Sequence, residues 1–173
     1  MPFSPLTFAP DRVKFNGLLT SQEISALAEM KELRTLQFDS PVNFGNWRRL
    51  EEGLFSQRAD VSLRAYGHYS RPCDISFVKQ IPSLQDFKAD CLQKVSGLQS
   101  LEDLPNLRHL SIHVYKLDNF DFLSGVSAHL KSLTLGPTSS TKPDLSVLSR
   151  FQELEEVFVG GHLKGLSDLG SLL

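Results

Sequence analysis

The residues of this chain whose types and spacing could do chemistry are His109 and His113, Cys73 and Cys91, and the glycine-flanked His162. On a helix, histidines four apart share a face and can hold a metal ion. Here they flank Leu110 and Ile112 in alternation, which is the period of a strand. That places both imidazoles beside Ser111 on a polar face where no Cys, Asp or Glu of the same strand completes a ligand set. Cys91 with these histidines could supply a nucleophile and a base, but nothing in the sequence activates the thiol, and a partly buried structural cysteine is the expectation. Two cysteines in different segments are too few for a disulfide framework, so free thiols in a reducing compartment are expected. Gly160-Gly-His-x-x-Gly165 lacks the spacing of a dinucleotide loop, and no nucleophile elbow, HExxH or phosphate-binding loop occurs. Glu102-Asp103, Glu153 and Glu155-Glu156 each adjoin an apolar position in a polar frame and read as solvated faces. The chain is therefore not expected to be an enzyme, and no metal or cofactor is expected.

The elements that must position these residues declare themselves by repetition. Leu107-Arg-His-Leu110-Ser-Ile112 returns 23 residues later as Leu130-Lys-Ser-Leu133-Thr-Leu135. The same L-x-x-L-x-L phrase fits Leu33-Leu36-Phe38, Leu84-Phe87-Ala89 and Leu154-Val157-Val159, with degenerate copies at Pro10-Val13-Phe15 and at Asp60-Leu63-Ala65, where Asp60 stands in the leucine position. The second and third apolar positions have the period of a short strand buried on one face, and one such unit cannot bury that face alone, so neighbours must stack. Before nearly every strand a short link recurs, at Ile75-Val78, Leu98-Leu101, Leu145-Leu148 and Leu166-Leu169, with Phe120 one residue further from its strand. Thr20-x-x-Glu23 predicts a capping box opening a helix. Trp47, Leu50 and Leu54 predict a fuller outer helix in the longest interval, the 27 residues from Leu33 to Asp60.

With 40% apolar and 22% charged residues and a net charge of −2, the composition is that of an ordinary folded protein with no pull toward nucleic acid or an anionic membrane. No basic residue precedes Arg12, no apolar run reaches signal-peptide length, and none approaches the ~18 residues of a membrane span. A cytoplasmic, soluble protein is the expectation.

The seven copies resemble leucine-rich repeats, and the stretch from Asp144 to Leu163 is similar to the short repeats of bacterial internalin-like proteins. The resemblance implies an α/β solenoid of repeats 23–27 residues long, with a parallel sheet on the concave side and short helices or 3₁₀ turns on the convex side. It divides the chain into an N-terminal cap with a degenerate first repeat (1–32), central repeats (33–159) and a C-terminal cap (160–173), all in one domain. It also implies a bacterial protein that binds another protein. One departure stands out. The family places Asn or Cys three residues beyond the third apolar position, and here Pro41, Leu92, Tyr115, Thr138 and His162 occupy those places, so the turns must satisfy their backbone in another way.

The register assigns three outward columns. They run Arg12, Thr35, Ser62, Asp86, His109, Ser132, Glu156; then Lys14, Gln37, Arg64, Lys88, Ser111, Thr134, Phe158; then Asn16, Asp39, Tyr66, Asp90, His113, Gly136, Gly160. Four positive and four negative residues balance across them, so no basic stripe exists for nucleic acid. Arg64, Tyr66, Lys88, His109, His113 and Phe158 are the expected contacts for a partner protein, since exposed aromatics with arginine are the composition of binding hot spots. The competing site is the loop side around Trp47, Tyr69 and Arg71. The partner's identity stays open between a scaffold role, an inhibitor or immunity-type role that neutralises a toxin or enzyme, and an effector delivered into host cells. A monomer is expected, with Leu172 and Leu173, at the end of the link Leu166, Leu169, Leu172, folding back over the last strand, and an end-to-end dimer is the alternative.

Overall fold

The computed structural model describes residues 6–39, 44–67, 72–117, 119–138 and 145–161. The alternating segments become strands: β1 (Leu6–Ala9), β2 (Arg12–Phe15), β3 (Thr35–Phe38), β4 (Ser62–Tyr66), β5 (Cys73–Asp74), β6 (Asp86–Ser96), β7 (His109–Lys116), β8 (Ser132–Thr138) and β9 (Glu156–Gly161). Among the described residues they lie in the order β1-β2-β3-β4-β6-β7-β8-β9, with β5 pairing the far end of β6. From β2 onward every neighbour along this order is parallel. Val13, Leu36, Leu63, Phe87, Leu110, Leu133 and Val157 are successive cross-strand partners, so all seven copies stand in the phase their spacing gives them.

The first copy is not a repeat turn. Ala9 pairs with Arg12, which leaves the exposed Pro10 and Asp11 as a two-residue hairpin turn, and β1 runs antiparallel along the outer edge of β2. Leu6 and Phe8 already alternated in the sequence. An antiparallel strand here occupies backbone groups that the first parallel strand would otherwise leave open.

Repeat stacking also settles the backbone of the turns. At four of the repeat junctions one carbonyl accepts two N–H groups of the next repeat: Asp11 from Arg34 and Thr35, Gln85 from Arg108 and His109, Arg108 from Lys131 and Ser132, Lys131 from Glu155 and Glu156. In the irregular repeat Ser62 alone donates to Arg34 O. The reason is a correction to the sequence register at that point. Val61 N bonds Arg58 O just as Leu33 N bonds Met30 O and Leu84 N bonds Ile81 O, and Val61 is 1% exposed. Val61, not Asp60, fills the leucine position, and the turn is one residue shorter. Asp60 instead lies outside the core and forms a two-point pair with Arg58, Nε–Oδ1 2.8 Å and Nη2–Oδ2 2.9 Å. The same guanidinium donates to the carbonyls of Ala28, Met30 and Leu33. It closes the C-terminal end of helix α1 (Ser21–Glu29), whose N-terminus is the expected capping box.

Past the conserved phase of the phrase, β6 and β7 run on instead of turning at an asparagine. A bulge sets Asp90 and Cys91 opposite His113, after which Leu92 pairs with Val114 and Lys94 with Lys116. Leu92 is buried, Tyr115 is exposed, and Thr138 donates its hydroxyl to Leu117 O at 3.4 Å. Continued strand pairing thus does in this part of the chain what the side-chain ladder would do. Pro41 and His162 lie outside the described residues.

On the opposite side, the links before β6, β7, β8 and β9 become 3₁₀ segments at Ser76–Gln80, Leu98–Asp103, Asp121–Ser124 and Ser146–Arg150. The longest interval carries helix α2 (Phe44–Leu50) and a wider π turn, Glu51–Phe55. Trp47, Leu50 and Leu54 are buried, which overturns the expectation that Trp47 faces outward in a competing site; its indole stacks on Phe77 at 3.9 Å. Tyr69 and Arg71, the other members of that site, lie outside the described residues, as do Leu166, Leu169 and Leu172. A further correction concerns Val157, which shares its register with the sealed Leu36, Leu110 and Leu133 yet is 48% exposed. A repeat seals this position only between two neighbours, and β9 has a described strand on one side alone.

Candidate protein-interaction face

The side of the sheet away from the core carries the expected columns. Arg12 pairs with Thr35 and Thr35 with Ser62; Asp86 pairs with His109, which continues through Ser132 to Glu156. Lys14, Gln37, Arg64, Lys88, Ser111, Thr134 and Phe158 are likewise successive partners across β2 to β9. At about 4.8 Å between strands this surface is roughly 30 Å across, the width of an ordinary protein interface.

Six of its eight charges are used inside the surface itself. Lys14 pairs with Asp39, Lys88 with Asp86 at 3.3 Å, and Arg64 with Asp90. The bulge in β6 turns Asp90 toward Arg64, whose Nε lies 2.9 Å from the carboxylate while Nη1 bonds Gln37 Oε1 at 3.1 Å. Its guanidinium carbon sits 4.2 Å from the centre of the Tyr66 ring. Arg64 and Tyr66 are therefore held in a fixed stack, with the Arg64 side chain 16% exposed. Of the eight, Arg12 and Glu156, at opposite ends of the sheet, have no ion pair among the described residues.

The Asp86 carboxyl is held above its ordinary range by burial, with the Lys88 ammonium and His109 pulling it back, and its Oδ1 is buried without a hydrogen-bond partner. A buried, incompletely satisfied carboxylate costs stability. It lies beside the exposed His109 in the cross-strand register.

Over β7 to β9 the surface changes character. His113 presents Nδ1 to Asp90 Oδ1 at 3.7 Å on one side. On its other side, a methyl group added to Gly136 would meet His113 Nε2 at 3.6 Å and Phe158 Cε1 at 3.7 Å. At Gly160 the added carbon would strike the Phe158 ring at 2.9 Å. Gly160 thus leaves room for the phenyl ring over β9, while His113 and Phe158 approach Gly136 from its two sides at ordinary van der Waals distance. Phe158 is 59% exposed there. The sequence reading named both rings but missed the glycines' part, because glycine in an outward column shows only as a missing side chain.

Neither a protein-family model nor a curated protein matches the sequence. Among solved structures, an internalin C2 (inlC2) from Listeria monocytogenes superposes with a TM-score of 0.53 at 18% identity, covering 94% of this chain and 76% of that one. An internalin (inlF) from the same organism gives a TM-score of 0.48 at 16% identity over 86% of this chain, which spans about half (48%) of its length. The fold is a leucine-rich repeat solenoid.

In this solenoid the structure brings together Arg64, Tyr66 and, across Asp90, His113; it brings His113 together with Phe158 over Gly136; and it places Lys88 and His109 on either side of Asp86. Cys73 is buried in β5, and burial pushes its thiol up to about 12, which leaves it un-ionised at neutral pH and chemically quiet. No helix of the described residues is long and apolar enough to cross a membrane.

Sequence reasoning missed one further positioning residue. Asn46 is fully buried in α2, where its Oδ1 accepts Leu19 N at 2.8 Å and its Nδ2 donates to Gly17 O. It ties the turn after β2 to the outer helix. A lone asparagine in a helix has no periodicity to reveal that role.

Proposed function

We propose that this solenoid is a non-enzymatic protein-interaction module that engages a folded partner on the open face of its sheet, with His109, His113 and Phe158 as anchors and Tyr66, held by Arg64, at the margin. The observation that supports this most is the exposed Phe158 ring, which borders Gly136 together with His113 on the open face. A large apolar ring left in water is costly, and aromatic side chains on a pre-set surface bind at small entropic cost. The six charges tied up within the surface supply shape and orientation, and give no net field that would draw a polyanion.

The test is capture of partners from a native lysate with the parent and with the His113→Ala/Phe158→Ala double variant, both checked for unchanged melting. A protein retained by the parent and lost by the double variant supports the reading, and equal retention refutes it. The inhibitor reading is a special case: a captured enzyme or toxin should lose its activity in the complex. The effector reading requires that the captured protein come from host-cell lysate.

A further inference from the structure

A second surface, separate from the open face, lies where the chain leaves the sheet. After the bulge β6 and β7 run on together, and between them and the two 3₁₀ segments that follow, Leu98–Asp103 and Asp121–Ser124, opens a trough of about 670 Å³. That volume is within the range of sites that take small ligands or short peptide segments. At its strand end Lys94 and Lys116 are direct cross-strand partners. Both are exposed, and neither has an ion pair among the described residues. Like charges placed opposite each other on adjacent strands disfavour the pairing, and an anion near the two lysines would offset that repulsion.

The rest of the trough narrows what that anion belongs to. Val95, Leu98 and Phe122 are half-buried and form an apolar floor. Glu102 lies beyond them, packed against Gly125 at the outer end, so the trough is basic at the strand end and acidic at the helical end. A polyanion or a free phosphate matches the first end and is repelled by the second. We infer that the trough binds an extended peptide segment of a protein partner that sets an acidic side chain between Lys94 and Lys116, an apolar side chain on Leu98 and Phe122, and a basic side chain toward Glu102. Charge complementarity along the trough fixes the direction of the segment. The inference does not depend on the open-face reading, since none of these residues is on that face.

The probe is the peptide acetyl-Asp-Phe-Gly-Lys-amide, compared with its charge-swapped counterpart acetyl-Lys-Phe-Gly-Asp-amide, by amide chemical-shift titration of the whole chain. The expected result is saturable shifts confined to residues 94–102 and 116–125, with at least tenfold preference for the first peptide. In Lys94→Gln/Lys116→Gln that preference should vanish while the fold, and partner capture through Phe158, remain. Lys94→Glu/Lys116→Glu should reverse the preference; the glutamine pair keeps the test valid should the glutamate pair not fold. Equal binding of the two peptides, shifts on the open face in place of the trough, or no saturable shifts at all would overturn the inference.

Discussion

The two halves of the open face are built on the same repeat and differ in how they leave their side chains. From β2 to β6, Lys14–Asp39, Arg64–Asp90 and Lys88–Asp86 neutralise one another, and Arg64 clamps Tyr66. From β7 to β9, the columns hold imidazoles, small hydroxyls, two glycines and an exposed phenyl ring. The core beneath differs in parallel. Phe15, Phe38, Trp47, Phe77 and Phe87 interlock under the first half, where α2 and the π turn thicken the outer layer, whereas the second is filled mainly by leucines, with Ile112, Val114, Val126, Phe120 and Phe151 among them. The lesson is that identical strand spacing fixes where side chains point but not whether they are available. Ion pairs that satisfy each other hold their side chains in place, whereas the Phe158 ring stays exposed.

Truncations in the core give the largest expected effects. Trp47→Ala should cost about 3–5 kcal/mol and Leu110→Ala or Leu133→Ala about 2–5 kcal/mol by denaturant unfolding. Val157→Ala, at the same register but half exposed, should cost much less. If Val157→Ala proved as damaging as Leu133→Ala, the described end of the array would be sealed by something else.

Next in size is the contrast between the halves. Phe158→Ala should weaken partner binding by about 2 kcal/mol or more with little change in melting, because an exposed ring adds little to the fold. Arg64→Ala should instead lower stability by about 1–3 kcal/mol, since it removes the guanidinium bonds to Asp90 and Gln37 and releases Tyr66. Calorimetry on both variants with a captured partner checks this; a large stability loss for Phe158→Ala or none for Arg64→Ala would erase the distinction. Gly53→Ala, whose added carbon would lie 2.6 Å from Ile24 Cγ2, tests the thickened outer layer and should cost about 1–3 kcal/mol by overpacking.

The smallest effects concern pH and have opposite signs. The hydrogen bonds from Arg58 hold the Asp60 carboxyl below its ordinary range, so its contribution is full above the unfolded carboxylate range near 4 and is lost as pH falls through the lower folded value. Burial holds Asp86 above that range, so its carboxylate opposes folding at neutral pH, and the penalty fades as pH falls through the raised folded value toward 4. Asp60→Asn should therefore destabilise the protein at pH 7 and converge with the parent in acid. Asp86→Asn should stabilise at pH 7 and likewise converge. Unfolding curves from pH 3 to 7 measure both, and parallel profiles with the parent would show that neither carboxylate is perturbed.

By itself the sequence determined the repeat, its phase and the outward columns, because a period-2 pattern that must bury one face leaves a single consistent register: Leu36, Leu63, Phe87, Leu110 and Leu133 align as counted. It also determined the Thr20–Glu23 capping box, whose two bonds are local. Only the tertiary structure decided that Val61 replaces Asp60, since a one-residue deletion in a turn is invisible until the neighbouring carbonyls show which N–H groups they accept. The β6 bulge that hands Asp90 to Arg64 was equally hidden, as were the approach of His113 and Phe158 to Gly136 and the matched lysines at the trough. Each depends on residues 20 or more apart in sequence meeting across strands, and a one-dimensional pattern specifies which face a side chain occupies, not which neighbour it meets there.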